Sequence, residues 1–176
     1  MATEAYKGGP EILKKAEGIV EGFLDSGKVL KEELLGICIS TAGMVDTEKG
    51  EIFYSAPLIP NYIGTKFKMV METRFHVPCE VENDVNCAGL AEYMSGASKG
   101  SKSALMLTIG TGIGGSMVIG GGVMAQEEYL RGRIETALRK YLVPSIAKHT
   151  KLAFAKHRND AGMLGAYYHF QNMQRK

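Results

Sequence analysis

The sequence predicts an α/β fold, because short apolar runs typical of buried strands alternate with segments of helical apolar spacing. Apolar residues recur at intervals of three and four along residues 12–24, and residues 34–40 form a short, mostly apolar run. Glycine is abundant, with 22 in 176 residues, where ordinary usage is about 7%. Nine of these glycines lie between Gly96 and Gly122, which indicates a backbone shaped for a particular task.

The composition is that of a folded chain, with 45% hydrophobic residues, 23% charged residues and a formal net charge of +2. Disordered chains combine low hydrophobicity with high net charge, so that class is excluded. The near-neutral balance predicts neither a nucleic-acid partner nor an acidic membrane partner. No apolar stretch is long enough to span a membrane, and the N-terminus lacks a secretory pattern. We therefore expect a cytoplasmic protein.

The cysteines are few and scattered. Cys38, Cys79 and Cys87 include no CxxC pair, so the pattern predicts neither a disulfide framework nor a zinc site. We expect all three to be small, buried apolar side chains in a reducing compartment.

The first half of the chain predicts a helix, a strand and a hairpin. Residues 12–24 form a one-faced helix, with Pro10 near its first turn and Gly27 beyond its end. Residues 34–40 are interpreted as a buried strand. A turn-like segment then leads to residues 51–55, which are predicted to pair back as a hairpin strand.

A second group of elements follows. Residues 67–75 predict an amphipathic helix, and Pro78 then opens a strand at residues 79–81. Helix-compatible sequence resumes over residues 85–94. The polar, small-residue segment 95–101 is a candidate domain boundary.

Beyond this boundary, the pattern predicts two strands and two helices. Residues 104–109 form a strand, and residues 116–119 form a second apolar run after a group of glycines. Residues 127–142 predict a long helix that ends before Pro144. The final helix includes residues 161–166, whose small side chains allow close helix packing.

Residues 110–115 match G-x-G-x-x-G, the dinucleotide-binding fingerprint. That interpretation requires a strand before the glycines and a helix after them. The strand is predicted, but residues 116–119 favour a second strand over a helix. The segment therefore resembles a strand–glycine turn–strand unit, whose backbone N–H groups could bind an anion with help from the Thr111 hydroxyl. A simple glycine hairpin is the alternative of equal weight.

The sequence Glu82-Asn83-Asp84 lies at a predicted strand end, immediately before a helix. A carboxylate there can act as a general base toward an alcohol, with the neighbouring amide orienting the hydroxyls. The alternative is a helix cap, since Asp and Asn commonly satisfy the free N–H groups of a first turn. From the residue types alone, the cap is favoured.

Together these motifs resemble the ROK family, which groups sugar kinases with related transcriptional repressors. The resemblance is carried, in the family's order, by residues 36–46, 56–62, 77–88, 107–115, 118–123 and 159–166. It implies an actin-like ATPase (ribonuclease H-like) fold of two α/β domains, with substrate and ATP in the cleft between them. We expect a small sugar-side domain at residues 1–98, with the C-terminal helix 160–176 packing back on it. Residues 99–159 would be the remnant of a large nucleotide-side domain.

The resemblance also implies a reaction, which is ATP- and Mg²⁺-dependent phosphoryl transfer to a hexose or glucoside hydroxyl, on the glucokinase and β-glucoside kinase side of the family. Asp84 would be the general base, and Asn83 and Gly43 would contact the sugar. Members of the family are often dimers, which leaves a homodimer open. The residues implied on the nucleotide side are Gly110, Thr111, Gly112, Gly121 and Gly122.

The sequence departs from the family pattern in two places. No acidic, glycine-rich first phosphate loop precedes Ala5, and no Glu-x-Gly-His segment lies between Gly115 and Met117. We therefore expect an incomplete form of the fold. A non-catalytic sugar- or partner-binding module is the main alternative to a kinase. A repressor would need a helix-turn-helix, whereas residues 1–35 predict one amphipathic helix, and a Rossmann oxidoreductase is the remaining rival.

Overall fold

A computed structural model describes residues 3–100, 105–109, 113–116, 127–141 and 156–175. The chain falls into two compact units. The first unit comprises Met1–Asp84 with Ala166–Lys176, and the second comprises Val85–Gly165. The predicted domains, residues 1–98 with 160–176 and residues 99–159, stay a prediction, since much of the segment expected on the nucleotide side lies outside the described residues.

The first unit contains the predicted helices and strands, with bounds that agree to within a few residues, and a short strand at residues 44–46 that was not predicted. In chain order they are helix α1 (Gly9–Asp25), strands β1 (Ile37–Thr41), β2 (Met44–Asp46) and β3 (Glu51–Tyr54), helix α2 (Phe67–Phe75) and strand β4 (Cys79–Asn83).

Helix α1 forms because its apolar residues share one face. Pro10 lies in its first turn, where the missing N–H costs nothing. Gly27 follows the helix with φ of +68°, a left-handed conformation that glycine adopts without strain. The apolar face packs against the core of the first unit through Ile12, Leu13, Ala16, Val20 and Leu24.

Strands β1 and β4 pair in parallel, from Ile37 opposite Cys79 to Thr41 opposite Asn83. Strands β2 and β3 form an antiparallel hairpin, with a register shift between Met44 and Val45. Because β1 and β4 are parallel, both of their carboxyl ends lie at one edge of the sheet.

The core of the first unit lies between the sheet formed by β1 and β4 and helices α1 and α2. It contains one tyrosine among otherwise apolar side chains. Its buried members are Ile37, Ile52, Tyr62, Phe67, Met71, Phe75, Cys79 and Val81.

The remaining elements lie wholly or partly in the second unit. They are helix α3 (Asp84–Met94), strands β5 (Met106–Ile109) and β6 (Ile113–Ser116), and helices α4 (Glu127–Tyr141) and α5 (Ala161–Met173). Strands β5 and β6 are antiparallel, with Ile109 opposite Ile113. The strand–glycine segment–strand arrangement is therefore confirmed, and the Rossmann turn is wrong, since a strand and not a helix follows. The second strand begins at Ile113, earlier than the predicted residues 116–119, and residues 117–119 lie outside the described residues.

Glu92 organises the end of helix α3. Its side chain is fully buried, and its two carboxylate oxygens accept hydrogen bonds from the backbone N–H groups of Ala97 (2.6 Å) and His157 (2.7 Å). The Ser95 hydroxyl lies 3.0 Å from His157 Nε2. A buried carboxylate thus joins the segment after α3 to the segment before α5.

The three cysteines are free thiols. Cys79 and Cys87 are buried as expected, whereas Cys38 is exposed. The expectation for Cys38 was wrong because Ile37 and Ile39 face the core, and alternation along the strand puts Cys38 on the opposite face. Among the helices that the structure describes, none is long and apolar enough to cross a membrane.

Candidate active site

The candidate site lies where strands β1 and β4 end. Thr41 is opposite Asn83 at the last position of the parallel ladder. The chain continues from β1 to Gly43 and from β4 to Asp84, so two segments that are distant in sequence leave the sheet side by side. The carboxyl ends of parallel strands are the usual position of ligand sites in α/β proteins.

The Asn83 side chain connects these two segments. Its Nδ2 atom donates to the carbonyl oxygen of Gly43 at 2.8 Å and to Asp84 Oδ1 at 3.1 Å. The structure therefore brings together the three residues that the resemblance assigned to the sugar and the general base. Both amide hydrogens have acceptors, so the plane of the amide is fixed.

Gly43 is required by the backbone at this position. Its φ is +91°, and an added Cβ would lie 2.9 Å from the carbonyl oxygen of Tyr54 and 3.3 Å from Ile52 Cγ2. A larger residue would be strained and would also clash with the β3 strand. The local geometry thus presents the Gly43 carbonyl to Asn83.

Asp84 is the first residue of α3, and its side chain is exposed. Negative charge is favourable at a helix N-terminus, so the carboxylate stabilises the first turn of α3. Exposure leaves the same carboxylate accessible to a hydroxyl group, as a general base requires. The structural and the catalytic interpretations are therefore compatible in one side chain.

Tyr62 adds a buried phenol beside these residues. It is 2% exposed, and its hydroxyl is hydrogen-bonded to Thr41 Oγ1. Burial raises the pKa of Tyr62, the Thr41 hydrogen bond lowers it, and the negative charge of Asp84 raises it further. Tyr62 therefore stays a neutral phenol within electrostatic reach of Asp84. Tyr62 lies within residues 56–62, which carry part of the family resemblance, but no role was predicted for it.

Glu82 precedes Asn83 on β4 and contacts both Asn83 and helix α5. Its Oε1 accepts a hydrogen bond from the backbone N–H of Asn83 at 2.7 Å. Its Oε2 lies 3.8 Å from Nδ1 of His169 in helix α5. Sequence reasoning did not assign a role to His169, because its separation from Glu82 along the chain leaves no local pattern.

The nucleotide-side predictions cannot be placed in the same way. The five residues concerned lie outside the described residues, and they are Gly110, Thr111, Gly112, Gly121 and Gly122. Strands β5 and β6 flank the first three of them. In the described part of the chain, no group of three or more His, Cys, Asp or Glu side chains could hold a metal ion.

A cavity of about 440 Å³ lies beside strand β1. Helix α1 contributes Ile12, Ala16 and Ile19 to its lining, and β1 contributes Cys38 and Ser40. The lining is mainly apolar, and the cavity reaches the candidate site through Thr41 and Tyr62, which also line it.

A protein-family model described as the ROK family matches residues 9–121 and 116–173 of the chain. A protein of Clostridium perfringens described as uncharacterized is 34% identical over 263 residues, which cover 96% of this chain and 88% of that protein. The alignment is longer than the 176-residue chain, so it includes an internal segment that only the relative has. The two matches to the family model overlap at residues 116–121, which is where the sequence predicted the interruption.

A glucokinase of Halalkalibacterium halodurans is 30% identical over 132 residues, covering 75% of this chain and 39% of the glucokinase. The chain therefore spans less than half the length of that enzyme. Among solved structures, a ROK hexokinase from Thermus thermophilus has a TM-score of 0.62 at 17% identity, with coverage of 95% and 89% of the two chains. A ROK glucokinase from Streptomyces griseus, in complex with glucose and AMPPNP, has a TM-score of 0.52 at 29% identity and covers 64% of this chain and 34% of its own.

Proposed function

The chain belongs to the ROK family, and from this premise we propose that it is a sugar kinase that transfers the γ-phosphoryl group of ATP to a hexose or glucoside hydroxyl. Its fold is the actin-like ATPase fold in incomplete form. The observation that carries the proposal is the Asn83 side chain, which ties Gly43 to Asp84 at the ends of two parallel strands.

In this proposal Asp84 is the general base. It takes the proton of the sugar hydroxyl as the hydroxyl oxygen attacks the γ-phosphorus, and ADP leaves with the electron pair of the broken bond. Phosphoryl transfer asks a protein mainly to position the reactants and stabilise charge. The fixed Asn83 amide and the Gly43 turn supply positioning, and the exposed Asp84 carboxylate supplies the proton acceptor.

The sugar class is proposed from the relatives. The matched curated proteins include a glucokinase and β-glucoside kinases, and the solved glucokinase from Streptomyces griseus is in complex with glucose. A hexose presents neighbouring hydroxyls that an amide and a carboxylate can hydrogen-bond together. Asn83 and Asp84 offer this pair of groups in the chain described here.

The nucleotide side is proposed on the resemblance alone. Gly110, Thr111 and Gly112 would face the ATP phosphates with backbone N–H groups, and Gly121 and Gly122 would line the nucleotide site. Mg²⁺ characteristically binds through one or two carboxylates together with the substrate phosphates, and the described side chains form no separate metal cluster. By the resemblance, Mg²⁺ would arrive with ATP and neutralise the phosphate charge.

The second candidate is a catalytically incomplete sugar- or partner-binding module. It is favoured by the internal segment that the Clostridium perfringens relative has and this chain lacks. The residues around Asn83 could still bind a sugar in that case, without the groups needed for phosphoryl transfer.

Two measurements on the full chain separate these candidates, namely calorimetric titration with glucose and sugar-dependent release of ADP from ATP. We expect glucose binding and ADP release for the kinase. Asp84→Asn should lower the rate roughly 10²- to 10⁴-fold, as loss of a general base does, with a smaller change in glucose affinity. Asp25→Asn removes the same charge at an exposed position in α1 and should leave both measurements unchanged.

The outcomes assign the function directly. Glucose binding without ADP release supports the binding module. ADP release that is insensitive to Asp84→Asn contradicts the assigned base, and binding of neither glucose nor nucleotide rejects both candidates.

A further inference from the structure

The C-terminal helix α5 is held against strands β1 and β4 of the first unit. An added Cβ at Gly36 would lie 2.1 Å from Cζ of Phe170, so the absence of a side chain at Gly36 admits the aromatic ring. Gln174 Nε2 donates to Glu80 Oε1 at 3.5 Å, and Lys68 Nζ lies 3.1 Å from both oxygens of Glu80. The end of the chain is therefore attached to β4 by packing and by polar contacts.

Glu80 and Glu82 are two residues apart on strand β4, so both side chains extend from the same face. Helix α5 and the residue after it contact this face at both positions. His169 of the helix lies at Glu82, and Gln174, one residue beyond the helix, lies at Glu80. The His169 and Glu82 side chains are only 13% and 17% exposed, respectively. The helix is thus in a position to control the orientation of the Glu82 carboxylate.

The two nitrogens of His169 have different surroundings. Nδ1 lies 3.8 Å from Glu82 Oε2, an electrostatic contact longer than a direct hydrogen bond. Nε2 is buried without a hydrogen-bond partner. A buried nitrogen without a partner makes no favourable polar contact, so Nδ1 is the ring atom through which His169 faces Glu82.

The contacts continue from His169 to the candidate site. Glu82 uses its other oxygen to accept the backbone N–H of Asn83 at 2.7 Å. The Asn83 side chain in turn donates to Gly43 and Asp84. One carboxylate thus links the His169 ring to the Asn83 backbone.

We propose that His169 is a positioning residue, which holds Glu82 so that the backbone at Asn83, and with it the Asn83–Gly43–Asp84 arrangement, is fixed for sugar binding. The role in sugar binding rests on the proposed function, whereas the effect on Asn83 does not. Helix α5 is therefore part of the site, although it contributes no group that touches the reacting atoms.

The test is the backbone amide signal of Asn83 in NMR spectra of the full-length protein, with and without glucose. His169→Ala should increase amide hydrogen exchange at Asn83 roughly threefold to tenfold, the effect of weakening one hydrogen bond, and move its proton shift upfield. His169→Asn places a donor near the position of Nδ1 and should restore the wild-type signal. His169→Gln places its amide near the position of Nε2 and should not.

Gln171→Ala is the matched control, because Gln171 lies on the same helix and its side-chain Nε2 donates to the Tyr167 hydroxyl. An Asn83 amide that is unchanged in His169→Ala overturns the proposal. If that variant fails to fold, the comparison of His169→Asn with His169→Gln decides, and equal Asn83 signals in the two overturn it as well. A wild-type protein that binds no glucose while Asn83 responds as expected contradicts the proposed function and supports the positioning role.

Discussion

Strand β1 has two different edges, and the contrast between them is the main structural lesson of the chain. Ile37 N–H donates to the Pro78 carbonyl at 2.8 Å, so Ile37, Ile39 and Thr41 direct their backbone groups toward β4. By alternation, the backbone groups of Cys38 and Ser40 point to the other edge, which borders the 440 Å³ cavity. We call these the paired edge and the open edge.

The paired edge positions the residues of the candidate site. It sets Thr41 opposite Asn83, and the flanking side chains of Cys79 and Val81 are fully buried. The open edge has no strand partner among the described residues. We therefore expect the geometry around Asn83 to depend on pairing between β1 and β4 more than on changes at the open edge.

Proline substitution is the strongest way to test this difference, because proline removes one backbone N–H at a chosen edge. Ile39→Pro removes a ladder hydrogen bond to β4 and an apolar side chain, and we expect a loss of about 3 kcal/mol or more in the free energy of unfolding. Ser40→Pro removes an N–H at the open edge, and we expect a loss of about 1 kcal/mol. Urea denaturation measures both.

Ile39→Ala provides the control, since it removes most of the side chain and keeps the backbone N–H. Subtracting its effect leaves the part due to the ladder bond. If Ser40→Pro destabilises the protein as much as Ile39→Pro does, both edges of β1 are engaged and the distinction is wrong.

A second effect is expected at the turn that follows the paired edge. Gly43→Ala forces a side chain into a left-handed conformation, at about 1–2 kcal/mol, and adds a clash with the Tyr54 carbonyl, at about 1–3 kcal/mol. Gly64→Ala has the same kind of backbone, with φ of +84° and no atom within 4 Å of the added Cβ. The control therefore carries the conformational cost without the clash.

Thermal or urea unfolding gives the two free energies, and the Asn83 amide signal reports on the site. We expect Gly43→Ala to change that signal and Gly64→Ala to preserve it. Equal stability losses and equal Asn83 signals in the two variants would show that the close approach at Gly43 has no role.

The sequence predicted the local elements well because helix spacing, turn residues and apolar runs are local signals. Residues 67–75 were predicted to the residue, and Asp84 and Asn83 were selected through the family resemblance. The contact from Asn83 to the Gly43 carbonyl was not predicted, because it spans 40 positions and depends on the register of β1 against β4.

The lack of a local signal also explains why the role of His169 and the exposure of Cys38 were missed. His169 lies on a helix rich in small and aromatic residues, and nothing local connects it with Glu82. Cys38 was expected to be buried, since an apolar run indicates a strand covered on both faces, but such a run does not reveal which face is left uncovered.

The smallest expected effect concerns thiol reactivity at the two edges. Desolvation raises the pKa of Cys38 and, together with the nearby Glu72 and Glu80 charges, raises the pKa of Cys79 to about 12. The thiolate is the reactive form, so at pH 8 both residues should react more slowly with iodoacetamide than a free cysteine does. Cys38 is exposed and should still be modified in the folded protein, whereas Cys79 is buried and should be modified only after unfolding.

Mass spectrometry of the labelled peptides, with and without urea, measures this order. Because Cys38 lies at the open edge, its modification should leave the Asn83 amide signal and glucose binding unchanged. Cys38→Ser is the control that removes the first labelling site. A shifted Asn83 signal after labelling at Cys38 would show that the two edges of β1 are coupled, and the cavity would then have to be counted as part of the site.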